Sequence, residues 1–183
     1  MEENKQKDIG EVKVGFPDCC FSVGKNWFRY RAAAIIIEDN SFLVMTTPDS
    51  PHFYTVGGGV HLNETADECI IREVREETGA DYEIDHLAVI CENFFKGKEI
   101  ALEGFNCHVI EFYYLMKSRG SKTLDCQSFG WNHSKEQVHW IPLDKLPETN
   151  VKPEFLRYRM NEILEGKSLI HIVNDEREKA GTA

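Results

Sequence analysis

No stretch of this 183-residue sequence approaches the roughly 18 consecutive apolar residues that a membrane-spanning helix requires. The opening MEENKQKDIGEV is polar and acidic, with no basic flank leading into an apolar segment, so a cleaved secretion signal is not expected. Cysteine is present without a metal-binding or redox spacing. Cys19, Cys20, Cys69, Cys91, Cys107 and Cys126 form no C-x-x-C pair, which points to small buried side chains in a reducing, cytoplasmic setting rather than to zinc. Positive charge is short as well: 21 Lys and Arg stand against 31 Asp and Glu, a formal net charge of −10. Binding to a nucleic-acid backbone, which needs a basic face, is thereby disfavoured. Neither an internal repeat nor a low-complexity segment is present, and 42% apolar residues are enough for a packed core.

What is present reads as one domain. Residues 1–27 form an irregular lead-in, 28–173 the domain proper, and 174–183 a polar tail. The run Ala32–Ile37 is continuously apolar, as in a strand covered on both faces. Glu38-Asp39-Asn40-Ser41 is turn chemistry before a returning strand, Phe42–Met45. His52–Val56 reads as a short strand entering Gly57-Gly58-Gly59. A helix follows, because Thr65 and Glu68 have capping-box spacing and Gly79 supplies a left-handed stop. Further strands are expected near Tyr82–Asn93, Phe105–Met116 and Val138–Ile141, and a second helix over Pro153–Glu165. Strands on both sides of a central helix, with a late second helix, predict an α/β fold built on a mixed sheet.

The chemistry concentrates in the first helix. At about 100° per residue, Ile70 and Val74 mark its buried stripe, Glu73 and Glu77 stack one turn apart beside that stripe, and Glu76 flanks them. A single helical Glu is ordinarily solvated. Three acids at one edge, just past a glycine turn, repel one another unless a cation lies among them. Oxygen-only ligation suits Mg²⁺ or Mn²⁺.

The segment Gly58–Ala80 resembles the signature of the Nudix hydrolases, G-x5-E-x7-R-E-U-x-E-E-x-G-U, with U a bulky aliphatic. Gly58, Glu64, Arg72, Glu73, Glu76, Glu77 and Gly79 fill every fixed position, Val74 the first U, and the small Ala80 the last. Chance agreement at seven fixed letters has a probability on the order of 10⁻⁷. The resemblance implies an α/β/α sandwich and a hydrolase that splits a phosphoanhydride bond in a nucleotide-like small molecule. By the same resemblance, Glu73, Glu76 and Glu77 are metal ligands, with a backbone carbonyl at Gly57 or Gly58 completing the shell. Catalysis would involve Glu73 and Glu76, with Arg72 orienting Glu73 or Glu64. Glu64 either reaches a second metal or braces Arg72, and Gly59 and Gly79 shape the turns at either end. A homodimer is compatible with this reading.

Three positions depart from the common pattern: Val56 before the glycines, His61, and Asn63 before Glu64. Many members also use an acid outside the box, for which Glu92, Glu99, Glu103, Glu111 and Glu136 are candidates. Glu111, mid-strand among apolar residues, ranks first and is counted among the candidate substrate-binding residues. Phe95 and Trp131 are candidates to stack a base, although rings at such positions more often belong to a core. No proline occurs between Pro51 and Pro142, so the downstream proline of ADP-ribose-cleaving members is missing. Two other activities occur on the same fold. A non-catalytic nucleotide sensor would tend to lose the box acids, which are intact here. An isoprenoid-diphosphate isomerase would need a catalytic Cys and Glu in a deep apolar cavity, which the sequence does not locate.

Overall fold

The structure is a computed structural model and describes residues 17–48, 50–98, 102–129, 134–166 and 168–177. Its centre is strand β2 (Asn26–Ile35). Side chains alternate across a strand, so Ala32 and Ala34 pack toward Ile70 and Val74 of helix α1 (Ala66–Thr78). Ala33 and Ile35 pack on the opposite side, toward Leu156, Met160 and Ile163 of helix α2 (Phe155–Glu165). The continuous apolar run is thus a strand covered on both faces, and the molecule is a single-domain α/β/α arrangement.

The main sheet is mixed. Strands β1 (Cys20–Val23), β2, β7 (Asn106–Met116), β6 (Ile84–Lys96) and β9 (Ile170–Asp175) lie in that order, and β5 (Gly57–Gly59) pairs with β2. Strands β2 and β7 are parallel, whereas β5 runs antiparallel to β2 through Arg31↔Gly59, Ala32↔Gly58 and Ala33↔Gly57. A second, three-stranded sheet holds β3 (Ile37–Glu38), β4 (Ser41–Thr46) and β8 (Gln137–Pro142). The turn between β3 and β4 has Asp39 at φ 43 and Asn40 at φ 55, the left-handed pair that a tight two-residue hairpin demands.

Three differences from the sequence reading bear on the site. The strand expected over His52–Val56 is reduced to isolated bridges at Phe53 and Tyr54, and the paired segment is the glycine run itself. Without side chains, its backbone can lie against both β2 and helix α1. The expected lead-in joins the sheet from Cys20 onward, and Asn26 and Trp27 already belong to β2. At the other end, β9 carries order through Asn174 and Asp175 into the expected tail. The cap residues behave as the spacing predicts. Thr65 and Glu68 satisfy each other's backbone amides, and Gly79 stops α1 at φ 67. No helix among the described residues is long and apolar enough to cross a membrane.

Candidate active site

Pairing of β5 with β2 brings the glycine run against helix α1. A Cβ on Gly58 would lie 2.3 Å from Glu73 Oε1, so the missing side chain is what lets this carboxylate approach the backbone. One turn further along, Glu77 Oε2 accepts the Gly57 amide at 2.9 Å. Both acids stand beside the apolar stripe of α1, partly buried, whereas Glu76 is exposed.

Arg72 is shared among three of the acids. Its Nε donates to Glu64 Oε1 at 2.8 Å and its Nη2 to Glu64 Oε2 at 2.9 Å, a two-pronged pair. Its Nη1 reaches Glu73 Oε1 at 2.6 Å and Glu76 Oε2 at 3.2 Å. Glu64 also accepts the His61 amide at 2.9 Å. Of the two roles open to Glu64, the contacts supply the brace for Arg72. Hydrogen bonds from Arg72 pull the Glu64 carboxyl down to about 2. Its folded pKa therefore lies below its unfolded one, so the pairing stabilises the fold above about pH 4.5 and is lost as the pH falls toward 2. A Glu64→Gln variant should show a shallower fall of thermal midpoint across that acid range than the wild type. An unchanged slope would mean that the brace contributes nothing.

The charges of the two half-buried acids, Glu73 and Glu77, are disfavoured by burial. Burial pushes the Glu73 carboxyl up, and the Arg72 contacts only partly oppose it. Glu77 is raised further, first by burial, then by the charge of Glu136 and more weakly by Glu73, against the pull of the Gly57 amide. Glu136 is itself buried. Tyr54 donates to its Oε1 at 2.7 Å and Ser128 to its Oε2 at 2.7 Å. Among the described residues, Glu136 is thus an acid outside the box whose charge bears on Glu77.

Glu111, ranked first for that position, is placed differently. It is 5% exposed, with Oε1 held by Arg31 at 3.3 Å and Oε2 by Asn93 at 3.0 Å. It serves as a buried counter-charge to Arg31. Phe95 lines an open groove of about 660 Å³ with Phe21, Phe28, Phe94 and His108, and the groove contains none of the box acids. Trp131, like Glu99, lies outside the described residues. Gly59 adjoins Asp18, whose Oδ2 would lie 2.0 Å from an added Cβ. Gly79 stands at the end of α1 against the backbone of Asp125.

Among the described residues no three His, Cys, Asp or Glu side chains converge into a group able to hold a metal. Glu73, Glu76 and Glu77 are not drawn together as the sequence led one to expect, because Arg72 stands between Glu73 and Glu76, and Glu77 turns to Gly57. The donor set still suits a hard divalent cation. Glu73 and Glu77 are half-buried carboxylates lying against the Gly57–Gly58 backbone, with Glu136 adding negative charge near Glu77. Mg²⁺ commonly needs only one or two protein carboxylates, with water filling its other positions.

Fold and site together define a mixed-sheet α/β/α protein with a carboxylate-bearing helix behind a glycine strand. Residues 27–160 match the model of the NUDIX domain, and the chain belongs to the Nudix hydrolase family. It is 33% identical over 66 residues to a MutT-like protein of Streptomyces ambofaciens, an alignment covering 36% of this chain and 43% of that relative. The chain thus matches less than half the length of that relative. Among solved structures, it resembles a MutT protein from Bacillus halodurans (TM-score 0.60, 18% identity, covering 81% of this chain and 93% of that one). It also resembles an ADP-ribose pyrophosphatase from Streptococcus suis (TM-score 0.53, 15% identity, covering 80% and 98%). At these identities the two structures speak to the fold.

Proposed function

We propose that this protein is a divalent-metal-dependent hydrolase that cleaves a phosphoanhydride bond in a nucleoside diphosphate linked to a second moiety: a nucleotide sugar, ADP-ribose or a modified nucleotide. The observation that carries the proposal is the packing of two half-buried box acids on the glycine strand, Glu77 on the Gly57 amide at 2.9 Å and Glu73 against Gly58, where burial and the charge of Glu136 disfavour an uncompensated Glu77 carboxylate. A fold that keeps three acids in such a place gains from a cation, and a diphosphate substrate needs one.

Bound Mg²⁺ or Mn²⁺ would neutralise the diphosphate oxygens, acidify a water molecule and steady the leaving phosphate. Glu73 and Glu77, with the Gly58 backbone, would hold it. Arg72 keeps Glu73 and Glu76 in orientation, anchored from behind by Glu64. Glu136, held through both oxygens by the Tyr54 and Ser128 hydroxyls, would receive the proton of the attacking water. These assignments keep Glu73, Glu76 and Arg72 in the catalytic set and replace Glu111 with Glu136. The intact box acids favour an enzyme over a nucleotide sensor.

A panel of nucleoside diphosphate derivatives, assayed with Mg²⁺ and with Mn²⁺, tests the proposal. Turnover should yield a nucleoside monophosphate and a second phosphate product, and excess chelator should abolish it. Undiminished activity in chelator would remove the metal from the mechanism, and no turnover across the panel would favour the sensor.

A further inference from the structure

Behind the glycine strand lies a second polar group that this mechanism does not use. Arg31 projects from β2 with its side chain only 13% exposed. Its Nη2 donates to the carbonyls of Thr55 at 2.8 Å and Gly57 at 3.1 Å, and its Nη1 donates to Thr55 Oγ1 at 3.1 Å. Glu111, on the neighbouring parallel strand β7 and in register with Arg31, supplies the counter-charge at 3.3 Å. The chain of contacts continues through Asn93 to Asn174 of β9, whose Nδ2 donates to Asn93 Oδ1 at 2.8 Å.

Gly57 is where this network meets the box. Its carbonyl is held by Arg31 while its amide is held by Glu77. The same residue sits at φ +133, a backbone conformation that side-chain-bearing residues rarely adopt and that its neighbours must enforce. We infer that the buried Arg31–Glu111 pair is a positioning device for catalysis, which fixes the Thr55–Gly57 backbone and, through the Gly57 amide, sets the position of the Glu77 carboxylate. The inference rests on the hydrolase reading of the site.

The electrostatics agree with a retained function. Burial works to lower the Arg31 pKa, and neighbouring acids, Glu111 foremost, more than restore it. A buried ion pair is a weak source of stability, and well-packed apolar replacements often equal or exceed it. Stability alone therefore gives little reason for placing a charge here, whereas five donors in a rigid fork can hold two carbonyls and a hydroxyl in fixed relation.

The test replaces both charges together, Arg31→Met with Glu111→Leu, so that neither is left unpaired. Glu111→Gln serves as a milder, near-isosteric second variant should the double variant fail to fold. The double variant should melt close to the wild type, yet lose turnover by about 10-fold or more, since small misplacements of catalytic groups cost up to about 100-fold. Hydrogen exchange at the Gly57 amide should accelerate in both variants. In a Glu77→Gln background the double replacement should cost less than about 2-fold, because groups acting through one another are non-additive. Wild-type turnover with an unchanged Gly57 amide, or a full additional loss in the Glu77→Gln background, would overturn the inference. If Glu77→Gln alone leaves turnover intact, the role given to Glu77 fails, and if the wild type turns over no substrate the hydrolase reading fails; in both cases the Gly57 amide still reports whether the pair holds the strand.

Discussion

Glu77→Gln should lower turnover by at least about 100-fold, the scale of removing a key electrostatic group, while raising the melting temperature of the metal-free protein. The two effects have opposite signs for one reason. Glu77 is a carboxylate whose charge is opposed by burial and by Glu136, so without a cation its ionised form weakens the fold. Glutamine keeps the shape, and its carbonyl oxygen can still accept the Gly57 amide now bound by Glu77 Oε2. It removes only the charge. A gain on the order of 1 kcal/mol would move the midpoint by about 2–4 °C for a chain of this length. Saturating Mg²⁺ should raise the midpoint of the wild type and leave that of the variant nearly unmoved, since a ligand stabilises only the form that binds it. Glu76→Gln should also lower turnover, but with little change in metal-free stability, because Glu76 is exposed and its contact is with Arg72. If Glu77→Gln melted lower than the wild type without metal, the view of Glu77 as a strained acid would be wrong.

Much of this site was legible because its determinants are local. The Thr65–Glu68 capping box, the Gly79 stop and the stripe of Ile70 and Val74 all lie within one helix, where spacing fixes neighbours. The hairpin at Asp39-Asn40 is local in the same sense. What could not be read depends on register between distant segments. Arg31 and Glu111 are 80 residues apart in sequence and meet only because β2 and β7 pair in parallel. The spacing that singled out Glu111 as a mid-strand acid therefore could not show that its partner is an arginine. Glu136 was one of five candidates, and nothing local marked it out. Its two hydroxyl donors come from Tyr54 and Ser128, and its influence on Glu77, 59 residues earlier in sequence, is tertiary. Strands β1 and β9 escaped notice because they are edges. Cys20–Val23 is exposed throughout, and Ile170–Asp175 alternates too weakly to announce a strand.

Two neighbouring glycines should fail in different ways when changed to alanine. A Cβ on Gly57 would lie 2.2 Å from the Ala32 carbonyl oxygen and 2.8 Å from the Ala33 Cα. Both are backbone atoms of the central strand and cannot yield without breaking the β5–β2 pairing. The residue also sits at φ +133, which adds conformational strain to the clash. Gly57→Ala should therefore cost about 3 kcal/mol or more in stability, with loss of activity as a consequence of partial unfolding. At Gly58 the obstacle is the Glu73 carboxylate, 2.3–2.6 Å away, the movable end of a side chain. Gly58→Ala should fold with a midpoint within a few degrees of the wild type, yet lose turnover, because the displaced carboxylate leaves both its place beside the backbone and its 2.6 Å bond to Arg72. Thermal melts read beside kcat separate the two cases. A Gly58→Ala protein that keeps wild-type turnover would show that the approach of Glu73 to the glycine strand has no part in catalysis.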